Sequence, residues 1–147
     1  MSFAPSARIR RGSLRAIGGV HHIGIAVEDL DAAIAAYAAL FGATLEHRET
    51  VADQGVEAAS LRVGGSRVEL LHALGPETPV GRFLASRGPG LHHVAFEVAD
   101  VAAELDRLRA EGAQLIDESP RLGLFGLQVA FVHPEATGGV LAEFVGR

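Results

Sequence analysis

The sequence has no cysteine, no lysine and no tryptophan, and only 5% of its residues are aromatic. Without thiols there are neither disulfides nor thiolate metal ligands, so any metal held by this chain is bound through nitrogen and oxygen. Without lysine, all 13 basic residues are arginine and Schiff-base chemistry on a lysine amine is excluded. No apolar run approaches the length that spans a bilayer, so no membrane partner is expected. No glycine-rich phosphate loop of the Rossmann or Walker kind is present, and no long strand-helix-strand alternation suggests a doubly wound sheet.

What is present fits one compact domain. The 147 residues are 48% hydrophobic and 21% charged, enough to bury a core and wrong for disorder. The net charge of −5 is uneven, because residues 1–18 carry Arg8, Arg10, Arg11 and Arg15 and no acid. The body is therefore more acidic than the total, which argues against nucleic acid as a partner. Residues 1–18 read as a flexible basic arm, and 19–146 as the domain. The arm lacks the apolar centre of a secretory signal, so a cytoplasmic location is expected, or the mitochondrial matrix if the arm is a transit peptide.

The domain contains a repeat. Val20-His21-His22-Ile23-Gly24-Ile25-Ala26-Val27 returns as Leu91-His92-His93-Val94-Ala95-Phe96-Glu97-Val98, and in each copy an aspartate, Asp29 or Asp100, stands seven positions after the second histidine. Each copy alternates as a strand and leads into a helix-period run, Leu30, Ala33, Ile34, Tyr37 and Phe41 in the first and Val101, Leu105 and Leu108 in the second. Asp29 or Asp31 can cap the first helix, and Gly42 and Gly112 stand at the stops. Strands are expected at 44–49, 56–63 and 66–72, then at 91–98, 114–117, 127–133 and 139–145. The fold class is thus α+β, two tandem βαβββ units (19–75 and 91–146) joined by a linker (76–90) that carries a short helix.

Sorting the strands by face points to chemistry. His22 and His93 lie opposite the bulky apolar residues of their strands, on a face otherwise small or polar. Glu69 and Glu143 hold matching positions in the last strand of each unit, within Val68-Glu69-Leu70 and Ala142-Glu143-Phe144. If the units pack with pseudo-twofold symmetry, all four converge. A carboxylate flanked by apolar residues is costly to bury alone, and one divalent cation removes that cost for both glutamates. Two imidazoles and two carboxylates leave two octahedral positions open, which suits Co²⁺, Mn²⁺, Ni²⁺ or Zn²⁺. Taken singly, a strand histidine reads as scaffold and a strand glutamate as a solvated residue; the matched set of four favours the metal. His21 and His92 read as packing or supporting residues, and His47 and His72 as surface.

With these residues in place, residues 20–146 resemble the vicinal oxygen chelate (glyoxalase/bleomycin resistance/dioxygenase) superfamily and, within it, the methylmalonyl-CoA epimerases. The particular segments are Asp53-Gln54-Gly55-Val56, Leu74-Gly75-Pro76-Glu77-Thr78-Pro79 and His133-Pro134 with Gly138-Gly139-Val140-Leu141. The resemblance implies a curved, cup-like mixed sheet around a metal held by His22, Glu69, His93 and Glu143, with Co²⁺ favoured. It implies an isomerase acting on a small-molecule acyl-CoA, removing and returning the proton α to the thioester through an enolate that the metal stabilises, with Glu143 as one acid/base. It also implies a homodimer. The chain departs from the pattern at Ala58, where some epimerases place a second catalytic glutamate. Glu57, one position early, serves only if a bulge turns it, and otherwise reads as surface. Glu135 and Gln128 replace basic residues of the family's late loop. The alternative readings on this scaffold are a glyoxalase I-like lyase acting on a glutathione hemithioacetal and a non-catalytic small-molecule-binding protein.

Overall fold

The structure, a computed structural model, describes residues 17–147. The expected basic arm lies outside the described residues except for Ile17 and Gly18, which already belong to the first strand. The chain forms two compact units, one of residues 22–93 and one of residues 17–21 with 94–147.

The 22–93 unit takes the second half of β1 (Ile17–Ala26), then α1 (Leu30–Phe41), β2 (Thr44–Val51), β3 (Val56–Val63), β4 (Ser66–Ala73) and α2 (Pro79–Arg87). Its strands run in the order β2-β3-β4-β1, antiparallel except for the parallel β4–β1 pair. The Asp29 side chain, not that of Asp31, caps α1 by accepting a hydrogen bond from the Ala32 amide at 3.0 Å. Gly42 ends the helix with φ 65°, a left-handed conformation that glycine adopts without penalty. Alternation sends Val68 and Leu70 of β4 and Ala59 and Leu61 of β3 to one face, where they pack with Val27, Leu30, Ile34 and Tyr37 as the core. Leu61 and Leu70 are essentially fully buried, and such side chains contribute about 1.5–3 kcal/mol each. The opposite face of the same strands carries His22, Gly24 and Ala26, Ala58 and Ser60, and Glu69 and Leu71.

The other unit repeats the plan with residues 94–98 of β5 (Gly90–Val98), then α3 (Val101–Ala110), β6 (Arg121–Leu122), β7 (Gln128–Val132), a single helical turn α4 (Pro134–Thr137) and β8 (Ala142–Gly146). The order is β5-β8-β7-β6, with β5 and β8 parallel. Asp100 caps α3 as Asp29 caps α1, accepting from the Ala103 amide at 3.0 Å. The core is Val98, Val101, Leu105, Ala130, Val132, Ala142 and Phe144. The βαβββ plan read from the sequence is present in both halves.

Two expected strands in this unit come out differently. Residues 114–117 make only an isolated bridge, Leu115 to Val132. The Ile116 and Asp117 amides both donate to the Phe131 carbonyl, and the Asp117 carboxylate accepts from the Phe131 amide at 2.8 Å, so a side chain takes over the ladder. Pairing with β7 resumes only past Pro120, at β6. The last strand begins at Ala142 rather than 139, because Gly138 and Gly139 sit at φ 80° and 114°. Among the described residues no helix is long and apolar enough to cross a membrane.

Candidate metal centre

Three of the four expected ligands meet inside the 22–93 unit. His22 on β1, Glu69 on β4 and His93 on β5 each offer a ligand atom, and these atoms lie within 4.8 Å of one another. His22 Nε2 stands 3.3 Å from a Glu69 carboxylate oxygen and 3.0 Å from His93 Nε2. The imidazoles meet edge to face, with centroids 5.1 Å apart. Both histidines are buried, and the Glu69 side chain is 12% exposed.

The local sequence explains why these groups can approach. In the parallel β1–β4 pair Gly24 is the register partner of Glu69, and the His93 ring lies over Gly24. A Cβ at residue 24 would stand 2.1 Å from His93 Cε1, so only glycine leaves the space the ring occupies. His92 supports the ring from the other side: its Nδ1 lies 3.0 Å from His93 Nδ1 and its own ring packs edge to face on Phe83 of α2, centroids 4.9 Å apart. The expected supporting role of His92 therefore has a contact behind it. His47 and His72, expected at the surface, are half-buried.

The electrostatics are those of a site built for a cation. Burial pushes the Glu69 carboxyl up to about 8, the charge of Glu49 adds to the rise, and Arg67 opposes it. Burial, with His22 and His92 close by, holds His93 well below its ordinary value, and burial alone lowers His92. The buried Ser60 Oγ, opposite Glu69 in the β3–β4 register, has no hydrogen-bond partner among the described groups. An imidazole held neutral at His93 beside the buried Glu69 carboxyl fits a divalent N/O-ligated ion.

Glu143, the fourth expected ligand, is buried on β8 in the other unit, paired with Ala95 of β5 and Phe131 of β7. Glu57 is not turned towards the Glu69 face. The β3–β4 register runs unbroken from Val56 to Val63, and its carboxylate holds Arg48 at 2.6 Å, an arginine that also binds Asp31. The bulge lies on the neighbouring strand instead, between Leu45 and His47 of β2. Leu45 pairs with Leu61 before it, and His47 with Ser60 and Glu49 with Ala58 after it, so the bulge turns His47 and Glu49 to the face of Glu69. Regular alternation from Leu45 would leave Glu49 on the other side, so its face is legible only in the structure.

The family model described as Glyoxalase/Bleomycin resistance protein/Dioxygenase superfamily matches residues 21–131. The ethylmalonyl-CoA/methylmalonyl-CoA epimerase of Cereibacter sphaeroides is 37% identical over 129 residues, covering 86% of this chain and 96% of that protein. The crystal structure of methylmalonyl-CoA epimerase from Mycobacterium tuberculosis superposes with a TM-score of 0.87 at 37% identity, covering 95% of this chain and 93% of that one. A variant of the Streptomyces coelicolor methylmalonyl-CoA epimerase, in complex with 2-nitronate-propionyl-CoA, superposes at 0.85 with 38% identity over 88% of this chain and 97% of that chain.

Proposed function

The chain belongs to the glyoxalase/bleomycin resistance/dioxygenase superfamily and, within it, to the methylmalonyl-CoA epimerases, and from that premise we propose that it epimerises methylmalonyl-CoA with the help of one divalent cation. The observation that carries the metal dependence is the buried His22–Glu69–His93 cluster, whose donor atoms lie within 4.8 Å of one another. Support for the substrate comes from relatives bearing that activity at near-full-length coverage and from the Streptomyces coelicolor complex with an acyl-CoA analogue.

His22, Glu69 and His93 would hold the cation, with Glu143 as fourth ligand and Co²⁺ as the favoured ion. When bound, the cation supplies Lewis acidity toward the thioester and carboxylate oxygens of the substrate, where negative charge develops as the α-proton leaves. The chain's own residues do the rest. Gly24 gives the His93 ring its place, and Phe83 and His92 fix its orientation. Burial holds His93 well below its ordinary value, so that its lone pair is available as a donor. Glu143, a buried carboxylate at the position matching Glu69, acts as one acid/base on the α-carbon. The active species is a homodimer.

Proton NMR of methylmalonyl-CoA in D₂O, with Co²⁺-reconstituted and metal-free protein side by side, tests the reading. Loss of the α-proton signal with the reconstituted protein alone is expected. No exchange above background in protein shown to hold the ion would overturn it.

A further inference from the structure

We propose that Ser60 is the positioning residue of Glu69: its hydroxyl donates to the Glu69 carboxylate when the site holds its cation, and so fixes that ligand in place. The inference rests on the metal reading above. Its test reads metal binding rather than turnover, so it is independent of the substrate.

Ser60 lies on β3 and is fully buried, yet its Oγ has no hydrogen-bond partner among the described groups. A buried donor without a partner costs stability, and native structures leave few of them, so each calls for a partner that the folded chain alone does not supply. The place of this one is specific. Ser60 is the register partner of Glu69 across the antiparallel β3–β4 pair, on the same face, within the unit that holds His22, Glu69 and His93. Register partners of this kind have their Cβ atoms about 5 Å apart. The serine oxygen stands one bond beyond its Cβ and the carboxylate oxygens three bonds beyond theirs. Rotation of the two side chains therefore covers the O–H···O distance of about 2.7 Å.

The other neighbours of Glu69 leave this role to Ser60. On β1 the register partner of Glu69 is Gly24, which has no side chain to offer. Two residues along the same face of β4, Leu71 is apolar. Arg67, two residues the other way, acts on Glu69 through its charge, while its Nη2 lies 3.5 Å from a Glu46 carboxylate oxygen. On its far side Ser60 pairs with His47, whose Nε2 is engaged by Glu49 at 3.0 Å. Glu69 turns Oε2 to His22 at 3.3 Å, which leaves Oε1 to accept from the serine. Ligating carboxylates are themselves held by hydrogen bonds, and losing such a partner costs about 10- to 100-fold in metal affinity.

The test is titration of the metal-stripped full chain with Co²⁺, followed by calorimetry and by the visible absorption of the bound ion, in wild type, Ser60→Ala and Ser66→Ala. Ser66, exposed at the start of β4, is the control. Ser60→Ala should bind Co²⁺ about 10- to 100-fold more weakly, with the absorption band of the bound ion shifted, and Ser66→Ala should match wild type. Without metal, Ser60→Ala should melt about 2–4 °C above wild type, because the hydroxyl it removes has no partner there. A serine that served the fold alone would do the reverse, lowering the metal-free melting temperature and leaving the band unmoved. Affinity of Ser60→Ala within about threefold of wild type, an unmoved band, or a metal-free melting temperature below wild type would overturn the assignment. If the wild-type protein binds no Co²⁺, the metal reading itself fails and the role of Ser60 falls with it.

Discussion

Replacing Gly24 by alanine should strip the metal site of one ligand while leaving the fold in place. The added Cβ would lie 2.1 Å from His93 Cε1, 2.4 Å from Nδ1 and 2.6 Å from Nε2, against an ordinary contact of 3.4 Å or more. The ring must therefore retreat by about 1.3 Å, whereas metal–ligand distances tolerate only about 0.2 Å. His92 and Phe83 back the ring, so it does not move freely. Gly24 is not among the positive-φ glycines, so alanine suits its backbone and the effect is steric alone. Disturbing an outer-shell partner of a ligand already costs 10- to 100-fold in affinity, so displacing the ligand itself should weaken binding by at least about 100-fold. Overpacking adds a loss of about 1–3 kcal/mol in stability. The assay is calorimetric titration of metal-stripped protein with Co²⁺, with Gly65→Ala as control because nothing lies within 4 Å of a Cβ there. Affinity of Gly24→Ala within about threefold of wild type, in protein with native circular dichroism, would refute the reasoning, since that is far below the loss a displaced ligand entails.

Other consequences follow from the same geometry. In metal-free protein the folded state keeps a proton on Glu69 up to about pH 8 that the unfolded chain, at the ordinary 4.5, has released. Stability should therefore fall as pH rises between those values. Below about pH 7 histidine protonation in the unfolded chain acts in the opposite sense, which leaves the stretch up to pH 8 to isolate Glu69. Urea midpoints should drop over that stretch in metal-free wild type and stay level in Glu69→Gln; a level wild-type profile would contradict the raised pKa of the buried carboxyl. Glu143→Gln should lower the epimerisation rate by about 100- to 10,000-fold with the melting temperature little changed, as measured by enzyme assay and calorimetry. Asp29→Ala and Asp100→Ala each remove a helix cap and should each cost about 1 kcal/mol in denaturant titrations, with Co²⁺ affinity unchanged.

The parts of the architecture legible in the sequence were those written in local periodicity. The paired aspartates marked both helix starts, Gly42 the end of the first helix, and alternation placed His22 and Glu69 together on the non-core face. His93 could be paired with His22 because the strand containing it is a copy of the first. What escaped depends on breaks in that periodicity. Nothing in Leu45-Glu46-His47 marks the extra residue that reverses the parity of β2, so the face of Glu49 is not legible in the sequence. Asp117 accepting from the Phe131 amide is likewise a side chain acting as backbone, and it removed the strand expected at 114–117. The need for glycine at position 24 was visible only as a small residue on the histidine face; its cause, the ring of His93, lies far along the chain and requires the tertiary structure.

The most direct test of the account is the rate of α-proton exchange from methylmalonyl-CoA in D₂O, measured as Co²⁺ is added stepwise to metal-stripped protein and to His93→Ala. The rate should rise linearly and break at one ion per chain in the wild type, and stay at the metal-free level in His93→Ala. Full exchange before any ion is added, or a wild type that binds the ion and leaves the α-proton in place, would contradict the claim that the His22–Glu69–His93 cluster holds a catalytic cation.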